Sequence, residues 1–338
     1  MTSGRPGLGG GDGDGGPVST YAVTAGPVAG SGGLAAVTLA SSATGVAASF
    51  VPEAGMVGCS LTLDGVELLG LRHGMQAYLD DAKTFGIPLL APWANRLGGD
   101  LYQAAGRDVT VHGVPGVYRD ENGLPIHGLL AGARGWQVLA SAAAEDAAML
   151  TATLRFDHNR DEFDAFPFPH DLGLTVVLRG DELSVTTTVT PIGEVDVPVA
   201  FGWHPYFVLP GVERANWRLD LPFTRHAVLD DRNLPTGEVQ QWAWDGAGGL
   251  GVRTLDDLFV AVPAGSVARL TGGGVEVSME YRHGYPYAVV FAPANDDVVA
   301  IEPMTAPTDP FAGHFGGLRT VAPGDAFSAT FAIRVRKV

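Results

Sequence analysis

The feature that most restricts the fold of this chain is a strict two-residue alternation running from His170 to Pro191. Leu172, Leu174, Val176 and Leu178 alternate with Gly173, Thr175, Val177 and Arg179. After Gly180-Asp181-Glu182, the period resumes through Leu183, Val185, Thr187 and Val189. A period of two sends successive side chains to opposite faces of a pleated strand, whereas a helix needs 3.6, so the segment predicts a hairpin with one buried face. Similar runs at 34–40, 43–51, 57–63, 149–157, 197–203, 257–262, 274–281, 286–292, 297–302 and 326–336 are rich in Thr, Val, Phe and Tyr, as half-buried strands are.

No apolar stripe of helical period extends over four turns, and Ser141 to Ala148 (SAAAEDAA) reads as a connection between strands. The 47 glycines and 23 prolines supply the turns that many short strands require. With no repeat of 20–50 residues, the pattern predicts an all-β sandwich and neither a solenoid nor a propeller. Residues 1–17, almost wholly Gly, Asp, Pro and small polar types, read as a flexible tail. Residues 18–338 show no linker and read as one large domain.

Charge and missing signatures narrow the chemistry. The 21 basic and 37 acidic residues give a net charge of −16, which disfavours a phosphodiester partner. Cys59 is alone, so neither an internal disulfide nor a structural zinc site is expected, and a reducing, cytoplasmic setting follows. No run approaches the roughly 20 apolar residues of a membrane span, and no secretory signal is expected at the N-terminus. GxGxxG with a following acidic residue, GxxxxGK, HExxH and GxSxG are all missing, and no two histidines stand two or four apart. Neither a metal nor a nucleotide cofactor is therefore expected.

Several residues stand out as candidates. His204 lies in Phe201-Gly202-Trp203-His204-Pro205-Tyr206-Phe207, where Pro205 restricts it to extended geometry and aromatics surround one titratable ring. That reads as a pocket wall or as an aromatic core with a satisfied histidine. Glu302 ends the apolar run Val298-Val299-Ala300-Ile301 before Pro303. A carboxylate there is either a partnered structural anion or a site residue, because a buried unpaired one is costly. Arg96, closing the Pro-punctuated run from Gly86, could pin a hydroxyl or a carboxylate through paired hydrogen bonds. His127, between Ile126 and Gly128, is a site residue or a loop histidine, and Asp256 is a hydroxyl acceptor or a solvated strand cap. His73, His112, His158, His170, His226, His283 and His314 read as surface or capping histidines.

Taken together and in order, GIPLLAPWANRL, LPIHG, FGWHPYF, LDDLF and IEPMTAPTDPF resemble the aldose 1-epimerase (galactose mutarotase-like) family, and VAPGDAFSATFAIRV resembles its last strand. The resemblance implies a large antiparallel β-sandwich with a small-molecule sugar site in a cleft on one sheet. Carried over by position, it makes Glu302 the catalytic base and His204 the catalytic acid. His127 would hold the ring oxygen and neighbouring hydroxyls, while Asn95, Arg96 and Asp256 would bind hydroxyls. Val208 stands where galactose-acting members usually carry an Asn, and Val289 where many members carry a Gln, so the resemblance does not imply galactose as the sugar.

Anomer interconversion suits these residue types on chemical grounds. Opening the hemiacetal needs a base at the anomeric hydroxyl and an acid at the ring oxygen, delivered from different strands and expected on opposite sides of the anomeric carbon. A hexose-6-phosphate 1-epimerase would need a cationic pocket, which the charge of −16 and the lack of an Arg cluster near the motifs disfavour. A glycoside hydrolase using Glu302 with Asp256, or a non-catalytic sugar-binding module, would use the same cleft.

Overall fold

The computed structural model describes residues 1, 19–246 and 249–338; the tail read at residues 1–17 lies outside the described residues apart from Met1. Every pairing between strands is antiparallel among the described residues, and the architecture is all-β. The alternating hairpin forms as its pattern requires. Strand His170–Arg179 pairs with Glu182–Pro191 in a register that sets Leu178 against Leu183 and Arg179 against Glu182, leaving Gly180-Asp181 as the turn. Gly180 has φ +60°, a left-handed conformation that glycine adopts without a Cβ penalty.

This hairpin is central to one large sheet, ordered Arg218–Asp220, Ser266–Gly272, Val275–His283, Phe327–Lys337, Glu182–Pro191, His170–Arg179, Ala148–Phe156, Gln137–Ala143. The second runs Pro235–Gln241, Arg225–Leu229, Leu255–Val260, Tyr287–Ala292, Val299–Met304, Gly202–Trp203, Leu89–Leu90, with Tyr206–Phe207 also on Val299–Met304. The two sheets face one another across a shared core: Trp203 meets Phe331 with ring centres 5.9 Å apart, and Phe223, from the connection before Arg225, sits 5.5 Å from Tyr281 of the first sheet and 5.0 Å from Phe259 of the second. Trp203 Nε1 crosses the interface to donate to Thr187 Oγ1 at 3.0 Å, so a buried polar pair ties sheet to sheet. A five-stranded sheet, from Tyr21–Gly26 to Val66–Glu67, adds Leu39, Phe50 and Leu61 to the same core.

Three local readings need correction. The run 197–203 is two short pieces, Val197–Pro198 and Gly202–Trp203, because between them Val199 donates to Arg319 and Ala200 accepts from Ala94. Ser141–Ala148 is the end of one exposed edge strand and the turn into the next, whose alternation begins at Ala148. His170 is no surface residue. It is buried with Nδ1 2.7 Å from the Phe168 carbonyl oxygen, its ring centre 5.2 Å from Phe156 and 5.8 Å from Phe166. No helix among the described residues is long and apolar enough to cross a membrane.

Candidate active site

The site lies on the face of the second sheet turned away from the main core. In Val299–Met304, Val299 and Ile301 point into that core, so strand alternation sends Ala300, Glu302 and Met304 to the opposite face. Register then supplies Glu302's neighbours. Val289 stands opposite it on one side, with Leu258 opposite Val289. On the other side Gly202 pairs with Met304 and Tyr206 with Ala300, which brings position 204 opposite 302. A Cβ on Gly202 would strike the Met304 sulfur and lie 3.0 Å from the Ala94 Cβ, so only glycine allows this approach.

His204 Nε2 consequently sits 3.1 Å from Glu302 Oε1, with the two residues 5% and 1% exposed. The expected acid and base thus stand side by side rather than on opposing walls, because both project from neighbouring strands onto one face. Asn95 and Arg96 follow the Leu89–Leu90 strand, and both are buried. Arg96 Nε donates to Asp120 Oδ2 at 2.7 Å, while Asp120 Oδ1 accepts from the amides of Asn122 and Leu124, each at 2.9 Å. His127 adopts φ +64°, donates its amide to the Asn95 carbonyl at 2.9 Å, and sets its ring 5.6 Å from that of His204. Gly128 after it must be glycine, since a Cβ there would strike the Ala91 carbonyl.

Asp256 lies two strands from Glu302 on the same face, opposite Phe291, and accepts from Asn233 Nδ2 at 3.0 Å. The structure therefore joins Glu302, His204 and His127 directly, bonds Asn95 to Arg96 and to the His127 backbone, and places Asp256 at the far side. Tyr206 is one of the aromatics read around His204, while three further neighbours, Arg72, Thr84 and Asp120, escaped the sequence reading. Tyr206 stacks on His204 at 4.2 Å between ring centres, its hydroxyl 3.1 Å from Nε2 and 2.7 Å from Thr84 Oγ1. Arg72 lies 4.8 Å above the Tyr206 ring and is ion-paired with Asp296 at 2.8 Å. Asp120 orients Arg96. The two-residue spacing from His204 signals Tyr206 within FGWHPYF; no local signal marks Arg72, Thr84 or Asp120.

Burial dominates the electrostatics. It pushes the Glu302 carboxyl well above the usual range, helped by the Asp256 charge and opposed by Arg96. It pulls the His204 imidazolium well below the ordinary range, with His127 and Arg72 acting in the same direction. His127 is lowered to about 3 by burial and by Arg96. Asp256 keeps contact with water, yet its recess and the Asp257 and Glu121 charges raise it against Arg96. Glu302 Oε2, His204 Nδ1 and His127 Nδ1 are buried with no protein partner. Three unpaired polar atoms in one cluster are costly in a purely structural setting and are what a site for a hydroxylated ligand leaves open. Among the described residues no group of three His, Cys, Asp or Glu side chains is placed to hold a metal ion.

Comparison with known proteins gives the same direction. Residues 52–334 match the family model described as aldose 1-epimerase. The uncharacterised protein YphB of Escherichia coli (strain K12) is 27% identical over 288 residues, which cover 78% of this chain and 88% of YphB. A galactose mutarotase-like protein from Clostridium acetobutylicum superposes with a TM-score of 0.81 at 19% identity, covering 94% of this chain and 99% of that one. The GalM/aldose epimerase homologue from C. elegans gives 0.69 at 20% identity, covering 87% and 97%. At these identities the superpositions establish a shared fold.

Proposed function

Because the chain belongs to the aldose 1-epimerase family, we propose that it interconverts the α and β anomers of a free, uncharged aldose, with Glu302 as base and His204 as acid. The observation that carries this reading is the 3.1 Å contact between two buried groups, His204 Nε2 and Glu302 Oε1, with Glu302 Oε2 left without a protein partner. The two oxygens of a hemiacetal share one carbon. A base and an acid that serve them can therefore project from neighbouring strands onto one face, as this pair does.

The buried pair favours its uncharged form, carboxyl on Glu302 and imidazole on His204. Moving one proton across the contact to Nε2 creates carboxylate and imidazolium together, with no proton drawn from water. The carboxylate then takes the proton of the anomeric hydroxyl, whose O–H electron pair forms the second C1–O bond. The ring C–O bond breaks, and the ring oxygen, keeping that bond's electrons, takes the proton from Nε2. Rotation about C1–C2 presents the other aldehyde face, and the same steps in reverse close the ring. Asn95, Arg96, His127 and Asp256 hold the hydroxyls, His127 as a neutral ring.

An uncharged substrate is favoured over a sugar phosphate because both guanidiniums near the site are already committed, Arg96 to Asp120 and Arg72 to Asp296. Magnetisation-exchange NMR on a panel of free aldoses and glucose 6-phosphate tests the reading. Anomer exchange faster than in buffer for at least one free aldose is expected. Binding without acceleration, the behaviour of a sugar-binding module, would overturn it.

A further inference from the structure

Resting on that reading, we infer that the site selects aldoses in which one ring or exocyclic hydroxyl is replaced by hydrogen, and that Val289 makes the selection. The argument is one of sheet register. A single strand, Tyr287–Ala292, separates Glu302 from Asp256. Neighbouring strands lie about 4.8 Å apart, so the two carboxyl-bearing strands are roughly 10 Å apart, enough for a pyranose to reach across.

The intervening strand turns Tyr287, Val289 and Phe291 to the site face, Val289 opposite Glu302 and Phe291 opposite Asp256. Polar partners therefore stand at the ends: Glu302 and His204 at one, Asp256 and Asn233 at the other. The strand surface between them, at Val289 and Phe291, is apolar. Phe291 offers an aromatic face, which suits the C–H face of a sugar ring. Val289 is 5% exposed and packs with Leu90, Ala94, Leu258 and Met304, none of which can pair a hydroxyl through its side chain. Phe315 and the ring of Tyr287 pack against the same cluster, the Tyr287 hydroxyl being the one polar group that this strand brings near it. A substrate bound through both polar ends sets one carbon against Val289, and a hydroxyl turned from that carbon toward Val289 loses its water and gains no partner from the side chains packed there. A hydrogen there loses nothing.

The test pairs each parent sugar with its deoxy analogue: D-glucose with 2-deoxy-D-glucose, D-galactose with 2-deoxy-D-galactose, and D-galactose with D-fucose. Catalysed kcat/KM is divided by the same sugar's spontaneous anomerisation rate. For at least one pair the deoxy sugar should lead by about 10- to 100-fold, the range an apolar pocket achieves against an added hydroxyl. Val289→Thr, which supplies a hydroxyl at nearly constant volume, should bring that ratio close to one. Val289→Ala, checked for a single cooperative melting transition well above the assay temperature, should preserve it. Parent sugars equal or ahead in every pair, or a ratio unmoved by Val289→Thr, would overturn the inference. If no sugar is accelerated, the anomer-exchange reading fails by itself. Saturation-transfer binding of the same pairs then still reads the selection, and equal affinities within every pair would end it.

Discussion

The strands Glu182–Pro191 and Val299–Met304 hold interior positions in the two large sheets and are built to opposite plans. The first buries alternate residues against the core and turns Thr186 and Thr188 outward, where their hydroxyls pair with Thr330 and Ser328 at 2.9 and 2.8 Å. The second is buried at all six positions. A face open to water needs only small hydroxyls. A face closed on both sides can hold a carboxyl at 1% exposure and alter its ionisation. Each sheet also surrounds a buried histidine, and the difference between them is instructive. His170 satisfies Nδ1 on the Phe168 carbonyl and rests among phenylalanines, whereas His204 leaves Nδ1 unpaired and turns Nε2 to a carboxyl. Burial is common to both; unmet hydrogen bonding beside a second titratable group marks the site.

Substitutions separate these roles, and the largest effect belongs to the site. Glu302→Gln preserves shape while removing the proposed base, so anomer exchange should fall by about 10²–10⁴-fold with an unchanged melting temperature. A normal rate would remove the functional distinction between the two strands. Thr187→Val attacks the opposite plan by stripping the acceptor from the Trp203 indole N–H. It should cost about 1–3 kcal/mol in urea unfolding with near-normal activity per folded molecule.

His170 predicts a pH effect on stability without one on catalysis. Burial lowers its imidazole from 6.5 to about 4, so the folded state refuses a proton that the unfolded chain accepts. Its stabilising contribution is whole above 6.5 and is lost as pH falls from there towards about 4. His170→Asn should flatten that part of the stability curve; an unchanged slope would count against the assignment. The smallest effect is expected at Asp256→Asn. Removing a negative charge that raises Glu302 makes its carboxylate easier to form, so the alkaline limb of kcat/KM should move to lower pH. A limb that stays or moves upward contradicts the charge coupling.

The solvated sheet was the more legible in sequence because one wet face imposes alternation. The hairpin could be read to its turn from Leu172 to Val189. Gln137–Ala143 could not, since it is exposed along its whole length and carries no contrast between faces. Pro235–Gln241 was missed for a similar reason, being largely exposed, and Arg225–Leu229, mostly half-buried with one buried position, shows as little contrast. Ordered motifs pointed to Glu302, His204, His127, Asn95, Arg96 and Asp256. Their arrangement depends on register between distant strands, which no local pattern encodes. Gly202 against Met304 places His204 beside Glu302, and Asp120, reaching Arg96 from a separate loop, has no signature within its own segment.

The central claim is that Glu302 and His204 exchange a proton and act as one unit, and a double-mutant cycle tests it most directly. Anomer-exchange rates of Glu302→Gln, His204→Asn and the combined variant are measured on one sugar at one pH. Strong coupling is predicted, with the double variant no slower than the slower single one. Losses that multiply would show two groups working independently and would contradict the account.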